Sequence, residues 1–208
     1  FMRNFLGNAL KSNPSLRFSV ITGVMQIAKE NIFSGLNNLY VNNVLSNDFS
    51  EYFGFTEDEV KQLLSTYGCA DKFDECREWY DGYHFGDCDI YNPWSILNYV
   101  NSGCDPRTYW AGTSGNTIVD TLLKIPDEKI YEDLSVLGQG GKVIKRIDDQ
   151  VVYSDFENDP SVIYSIMVMS GYLNASKANI GFEISIPNRE IYNVYERAFI
   201  SRQNNYDI

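Results

Sequence analysis

The amino-acid sequence predicts an α+β fold that is mostly helical. The sequence marks the starts of two helices clearly. Thr56 is followed three residues later by Glu59, as in a capping box, and Asn92-Pro93 supplies a capping residue and a first-turn proline before a second apolar run. Short apolar runs in the last third of the chain, "KVIKRI", "QVVYSDF" and "GFEISIP", are typical of strands. With 208 residues, of which 44% are hydrophobic, the chain can bury a substantial core in one large domain or two small ones.

The front of the chain predicts one helix, one turn and one buried strand. In "FMRNFLGNALKSNP" an apolar stripe begins at Phe1 with no capping residue before it, and Asn13-Pro14-Ser15 marks the turn. Residues 18–24, "FSVITGV", are typical of a strand covered on both faces, yet no later run obviously pairs with it. We therefore expect a fragment whose missing upstream elements include the partner strands.

The middle of the chain predicts four helices. "GFTEDEVKQLLSTYG" starts at the capping box of Thr56 and Glu59 and ends at Gly68, which suits a left-handed stop. The other three cover residues 71–80, residues 93–100 before Gly103, and residues 117–125.

The aromatic stretch "EWYDGYHFGDCDIYNPW" has two interpretations. Its rings could stack an adenine or splayed bases. We favour the alternative that aromatic residues around an Asp-Gly turn join a loop to the core, also because Asp81, Asp87 and Asp89 would repel a phosphate backbone.

The back of the chain predicts a small core of its own. Asp159-Pro160 opens the helix "SVIYSIMVMSGYL", and Asn188 caps "REIYNVYERAFI". We expect residues 159–187 to pack as a helix-plus-hairpin unit against the helical middle, with Tyr153 and Phe156 at its edge. The apolar residues of its strand alternate, at Phe182, Ile184 and Ile186. The apolar residues of its helix recur with helical spacing and are Ile163, Ile166, Met167, Met169 and Leu173.

Charge and cysteine spacing disfavour several classes of function. Acidic residues outnumber basic ones by 28 to 17, and the net charge of −11 repels nucleic-acid backbones. No apolar run reaches the roughly 18 to 20 residues that span a bilayer, so we expect a cytoplasmic protein with no membrane partner. The four cysteines form no C-x-x-C pair, and we expect reduced core thiols rather than a metal site built from Cys76, His84 and Cys88.

Six strings, in this order and at these spacings, resemble the AAA-ATPase-like family of bacterial proteins: "ITGVMQIAKENIFSGLNNL", "REWYDGYHFG", "IYNPWSILNYV", "YWAGTSGN", "SGYL" and "IPNREI". Members of that family carry a P-loop ATPase region first and a small PD-(D/E)xK nuclease-like domain last. The resemblance covers nearly the whole chain. It implies the C-terminal part of an AAA-type ATPase, with lid helices and a small winged-helix-like module.

The resemblance also implies how the chain is divided and what it needs. Residues 1–50 would be a remnant of the ATPase core with its sensor-type strand, residues 51–130 a helical lid-like region, and residues 131–208 the winged-helix-like module with a linker towards an absent nuclease-like domain. The full-length parent would use ATP and Mg, whereas this fragment would need no cofactor and would be inactive alone. Its partner would be the upstream P-loop half, with self-association, another protein, or nucleic acid bound through the nuclease-like domain as further options.

Three site residues follow from the resemblance. Thr22, at the end of the predicted strand, would be the sensor residue beside the γ-phosphate, and Lys29 or Ser34 would reach the nucleotide or an adjacent subunit. Family members often have Arg where this chain has Gln26, and a neutral side chain there argues against an arginine finger and for slow or absent hydrolysis.

The sequence itself contains no Walker motif. In "VLGQGGKVIK" Gly141-Lys142 is followed by Val143 instead of a hydroxyl residue, and Val136 occupies the place of the first glycine. We predict a hairpin turn there. The alternative function is therefore a non-catalytic binding module, in which residues 159–187 dock a partner. The few basic residues nearby, such as Lys177 and Arg189, favour a protein over DNA.

Overall fold

The computed structural model describes residues 2–11, 13–23, 39–110, 119, 127–150, 159 and 161–206. These residues form helices and two small antiparallel sheets, which confirms the α+β class. No helix in this part of the chain is long and apolar enough to cross a membrane. The helices are α1 (Met2–Leu10), α2 (Glu57–Thr66), α3 (Phe73–Tyr80), α4 (Pro93–Asn101), α5 (Glu128–Gly138), α6 (Val162–Met169) and α7 (Arg189–Tyr206). The strands are β1 (Tyr83–Phe85), β2 (Cys88–Ile90), β3 (Val143–Lys145), β4 (Asn174–Lys177) and β5 (Phe182–Ser185).

The front helix and its turn agree with the sequence prediction. Helix α1 ends at Leu10, and the Asn13 side chain accepts a hydrogen bond from the backbone N–H of Ser15 at 3.0 Å. The Leu16 N–H donates to the Asn13 carbonyl at 3.1 Å, which closes the turn around Pro14.

The strand predicted at residues 18–24 is wrong for residues 18–23, the part that is described. These residues are not part of any sheet, and the side chains of Phe18 and Val20 are 80% and 69% exposed. A buried strand needs neighbouring strands for its backbone hydrogen bonds and elements that cover both faces. The sheets in the described residues lie elsewhere, at β1–β2 and β3–β5, and supply neither.

Helices α2, α3 and α4 pack around a first core. The predicted capping box is confirmed, since the Thr56 side chain accepts from the Glu59 N–H and the Glu59 carboxylate accepts from the Thr56 N–H at 2.8 Å. Asn92 caps α4 by accepting from the backbone N–H groups of Trp94 and Ser95. The buried residues of this core are Val60, Leu64, Cys76, Tyr80, Tyr91, Ile96, Tyr99, Val100 and Cys104.

A β-hairpin lies inside the aromatic stretch and was not predicted. Strands β1 and β2 pair with Tyr83 opposite Ile90 and Phe85 opposite Cys88. Gly86 and Asp87 form the two-residue connection, and Gly86 has φ +57°. A β-carbon on Gly86 would lie 2.4 Å from the Ser46 carbonyl, so the hairpin also needs glycine for close packing against the preceding loop.

The back of the chain forms a three-stranded antiparallel sheet with strand order β3-β5-β4. Ala175 and Val143 lie opposite Ile184, which is fully buried. The predicted helix-plus-hairpin unit forms, because Ile163, Met167, Leu173 and Ile184 share one buried cluster. This cluster includes residues of α5 and α7, whereas α2, α3 and α4 of the predicted helical middle belong to the first core. Asn188 caps α7 by accepting from the Ile191 N–H at 3.1 Å, as predicted.

The turn at Gly140-Gly141 joins a helix to a strand, so the predicted hairpin turn is wrong. Helix α5 ends at Gly138, Gly140 has φ +77°, and the Gly141 N–H donates to the Val136 carbonyl at 2.9 Å. This is how a left-handed glycine ends a helix.

Several predictions lie outside the described residues. They concern the strand "QVVYSDF" after Gln150, its edge residues Tyr153 and Phe156, and the helix at residues 117–125 apart from Val119, which is helical.

Candidate functional site

Of the three site residues inferred from the resemblance, the described structure includes only Thr22. Its side chain is exposed, and it lies in the stretch before residue 24 that belongs to no helix or strand. Lys29 and Ser34, like Gln26, fall outside the described residues. Thr22 thus has no strand neighbour among the residues described, and its sensor role stays a prediction.

The glycine-lysine pair at residues 141–142 is not built to hold a phosphate. Its backbone follows the C-terminal end of α5, where the helix dipole places partial negative charge and repels anions. The Lys142 ammonium lies 2.7 Å from the Glu183 carboxylate across the sheet. Both features differ from a P-loop, in which backbone N–H groups and a free lysine face the phosphates.

The aromatic side chains of residues 79–94 mostly serve the core. Tyr80, Tyr83 and Tyr91 are buried, and the Tyr80 ring packs 5.3 Å from that of Tyr99. The Tyr80 hydroxyl accepts from the Arg107 N–H at 3.0 Å and donates to the Arg107 carbonyl at 2.9 Å. Burial leaves these three rings no free face for a base, as the structural interpretation predicts for them, whereas the Trp94 side chain is 53% exposed.

Glu190, in the first turn of α7, is the buried acidic residue that joins the two halves of the structure. Its side chain is fully buried. One carboxylate oxygen accepts from the backbone N–H groups of Tyr109 and Trp110, at 2.6 and 2.7 Å, and the other accepts from the Ser95 hydroxyl at 2.7 Å. A carboxylate with three donors is well satisfied despite its burial. We call Glu190 and its three hydrogen-bond partners the Glu190 junction.

The Glu190 junction and its aromatic neighbours contain residues from five of the six strings on which the resemblance rests. Ser95 belongs to "IYNPWSILNYV", Tyr109 and Trp110 to "YWAGTSGN", and Glu190 to "IPNREI". The Trp110 ring also lies 5.2 Å from that of Tyr172, in "SGYL", and 6.4 Å edge-to-face from that of Tyr83, in "REWYDGYHFG". These separated strings therefore meet in one packed junction. Because Glu190 is sealed from solvent, its chemistry is to position backbone segments rather than to act on a substrate.

A small crevice lies beside this junction, lined in part by Tyr83, His84, Leu173 and Asn174. It has room for about one water molecule. Pockets for nucleotides and other cofactors are typically about 300 to 1,000 Å³, so this crevice is too small for one.

His84, which lines the crevice, is held by hydrogen bonds within the hairpin and to β4. The Nδ1 atom of its ring lies 2.7 Å from the Asp89 carboxylate. The backbone N–H of His84 donates to the Asn174 side-chain oxygen at 3.1 Å. The described residues contain no group of three His, Cys, Asp or Glu side chains that could hold a metal ion. Cys76 lies in the first core, whereas Cys88 packs against the second, so the Cys76, His84 and Cys88 set is not assembled.

Sequence reasoning missed the Glu190 junction for a definite reason. An acidic residue in the first turn of a helix is ordinary, and nothing local indicates that its partners lie 80 to 95 positions earlier. The hairpin did have a signal, because two short alternating runs are separated by two residues of the type Gly-Asp.

Comparison with known proteins gives one distant relative of undescribed activity. The chain is 33% identical over 122 residues to an "Uncharacterized protein in vnfD 5'region" of Azotobacter chroococcum mcd 1. The match covers 59% of this chain and 23% of that protein, so the chain spans about a quarter of its relative. No protein-family model matches the chain. No solved structure matches it either.

Proposed function

We propose that this chain is the nucleotide-sensing and lid part of an AAA-type ATPase-like protein, which acts only together with a P-loop half. In this proposal Thr22 reports on the γ-phosphate, and Lys29 and Ser34 reach the nucleotide or a neighbouring subunit. ATP and Mg are bound by the parent protein, whereas the residues described here form no anion cradle of their own.

The observation that carries the proposal is the exposure of an apolar segment that belongs to no sheet. Phe18, Val20 and Ile21 have the side chains of a buried strand but are 80%, 69% and 46% exposed. Large apolar side chains clustered at the surface indicate a missing partner surface. A place between two strands in the sheet of a P-loop domain would satisfy both the backbone and the side chains of this segment, and would bring Thr22 to the end of a central strand, where nucleotides bind.

The back of the chain supports a winged-helix-like module. A strand, a helix and a two-stranded wing follow one another as β3, α6, β4 and β5, and the first strand pairs with the last to give the order β3-β5-β4. Helix α6 would be the recognition helix of a DNA-binding winged helix. Its residues 163–168 are all buried, and it has no basic residue in its last turn. We therefore propose that this module, as the alternative function, binds a protein and not DNA.

Calorimetry with Mg-ATP tests the proposal. We expect no saturable binding by this chain at micromolar concentrations, and clear binding by a longer protein that includes the P-loop half. Saturable micromolar ATP binding by the chain alone would contradict the proposal that nucleotide binding needs the P-loop half. The absence of a G-x-x-x-x-G-K-[ST] sequence upstream would favour the binding-module alternative.

Substitution of Thr22 tests the sensor role in that longer protein. We expect Thr22→Val to keep folding and ATP affinity but to lower turnover about tenfold, because one hydrogen bond made in the transition state is lost. Ser19→Ala, in the same exposed stretch, is the matched control and should leave turnover unchanged. Equal turnover of the Thr22→Val and wild-type proteins would contradict the sensor role and leave Thr22 with a structural role only.

A further inference from the structure

Four large aromatic side chains are exposed around the turn that precedes α2. They belong to Tyr40, Phe49, Tyr52 and Phe53, and each is more than half exposed. Phe49 precedes the 3₁₀ helix Ser50–Tyr52, and its ring lies 6.4 Å from that of Tyr52. The Tyr40 hydroxyl donates a hydrogen bond to the Asp48 carboxylate, which holds the Tyr40 ring at the same turn. We call these four residues the four-ring patch. Large apolar groups that cluster at a surface indicate a binding site, whereas single exposed ones do not.

The backbone that carries the four-ring patch is fixed on both sides. Before the turn, the Gly86 N–H donates to the Val44 carbonyl at 3.0 Å. After the turn, Phe55 and Tyr91 exchange two backbone hydrogen bonds, at 2.8 and 3.0 Å. The rings are therefore presented on a defined surface, which lowers the entropy that a partner loses on binding.

Phe49 has a strained backbone although its side chain is not buried. Its φ of +61° and ψ of +15° are left-handed, a conformation that glycine or asparagine adopts at a lower cost. Strained residues are concentrated at binding and catalytic sites. Because the Phe49 ring is exposed, packing of the core does not explain a phenylalanine at this position.

The charge around the four-ring patch is acidic. Residues 39–60 contain five acidic residues and no lysine or arginine. Asp48 and Glu51 lie within the turn and are exposed. The Asn47 side chain donates to the Asp87 carboxylate, which adds an acidic group from the β1–β2 hairpin. A complementary partner therefore supplies apolar groups for the rings and positive charge for the carboxylates.

We propose that the four-ring patch docks a segment of a partner protein that is both basic and apolar. Lysine or arginine side chains of this segment pair with Asp48 and Glu51 and lie over the exposed rings, and its apolar side chains cover Phe49 and Tyr52. Nucleic acids and anionic lipid surfaces are repelled by the same carboxylates. A second copy of this chain, docked patch to patch, would bring two acidic surfaces together.

Selection from a displayed library of random peptides, with the full chain as bait, tests the chemistry of the partner. We expect the enriched peptides to combine several lysine or arginine residues with several large apolar ones. Enrichment of acidic peptides, of peptides that are only basic or only apolar, or of no peptide at all would each overturn the proposal.

Substitutions test whether an enriched peptide binds at the four-ring patch. Its dissociation constant is measured by fluorescence anisotropy with a labelled synthetic copy. Tyr52→Ser and Phe49→Asn should each weaken binding about tenfold or more, and Glu51→Lys about fivefold or more. Phe49→Asn removes the ring but suits the left-handed backbone, so it should unfold at the wild-type temperature or above. It keeps the test decisive if Tyr52→Ser is less stable.

Two variants elsewhere on the surface supply the controls. Ile180→Ser removes another exposed apolar side chain, and Glu132→Lys makes the same charge change on an exposed position of α5. Both should leave the dissociation constant within about twofold of wild type. Binding that is unchanged in Tyr52→Ser and Phe49→Asn, or equally weakened in the controls, would overturn the proposal. A wild-type dimer in sedimentation velocity that Tyr52→Ser dissociates would also overturn it, because a second copy would then occupy the patch.

Discussion

Glu190 shows how one side chain connects parts of the chain that are far apart in sequence. Its carboxylate receives two backbone N–H groups from the segment after α4 and one hydroxyl from α4 itself. None of these partners is recognisable from the residues around Glu190. The caps at Thr56, Asn92 and Asn188 were predictable because donor and acceptor lie within three residues of each other.

Replacement of this carboxylate should be costly. In Glu190→Gln, the remaining oxygen can still accept from the two backbone N–H groups, and the new NH₂ group faces the Ser95 hydroxyl, which can accept in place of donating. The hydrogen bonds therefore remain but lose the strength that the negative charge gives them, and we expect a loss of about 1 to 3 kcal/mol in the free energy of unfolding, measured by urea denaturation. Glu196→Gln, on the exposed face of the same helix, is the matched control and should change stability by less than about 0.5 kcal/mol. Equal stability of the Glu190→Gln and wild-type chains would show that the junction contributes little.

At the scale of elements, helices were predicted better than strands. The start of α2 is encoded within four residues, and its end by one glycine at φ +75°. Residues 18–23 of the strand predicted at residues 18–24 are not in a sheet, because strand formation depends on neighbours that the sequence of the segment does not specify. A hairpin was predicted within residues 159–187, but the position of its first strand, β4, was not, since "NASK" has no apolar alternation and is held by its pairing with β5.

The capping box of α2 gives a pH-dependent prediction at this scale. Hydrogen bonds from the Thr56 backbone N–H, and then from its hydroxyl, lower the pKa of Glu59. A lowered pKa means that the contribution of Glu59 is present above its ordinary pKa of 4.5 and is lost as pH falls through the lowered value. Glu59→Gln should therefore unfold at a lower temperature than wild type at pH 7. The difference between the two unfolding temperatures should become smaller towards pH 3.

Thr56→Ala serves as the comparison for Glu59→Gln. It removes the hydroxyl that accepts from the Glu59 N–H and should cost about 1 kcal/mol at pH 7. Thermal unfolding followed by circular dichroism from pH 3 to pH 7 measures both effects. A gap between Glu59→Gln and wild type that is constant with pH would mean that the carboxylate charge plays no part.

At the scale of the whole molecule, two cores meet at the Glu190 junction. The first core belongs to α2, α3 and α4, and the second to the hairpin, α5, α6, α7 and the three-stranded sheet. The sequence predicted the apolar faces of the second core, because its helical and alternating periods are local. It did not predict that the β1–β2 hairpin belongs to this core, since Tyr83 and Ile90 come from a stretch that lies between helices of the first. Contacts between segments that are distant in sequence determine which core a strand packs into, and no local sequence pattern predicts these contacts.

The buried tyrosines test whether the two cores unfold as one unit. Burial raises the pKa of six of them, three in each core, above the ordinary value of 10. The folded chain therefore keeps protons that the unfolded chain releases, so stability is fully present below pH 10 and falls as pH rises above it. These residues are Tyr80, Tyr91 and Tyr99 in the first core and Tyr83, Tyr164 and Tyr195 in the second.

Of the 15 tyrosines in the chain, we expect these six to ionise late and together. Tyrosinate absorbance at alkaline pH should show a gradual rise near pH 10 from exposed residues, followed by one cooperative step that coincides with the loss of helical circular dichroism. In Glu190→Gln, which weakens the connection between the cores, this step should move to lower pH. Two separate steps in the wild-type chain, only one of them shifted by Glu190→Gln, would contradict the prediction, because they would show that each core unfolds on its own.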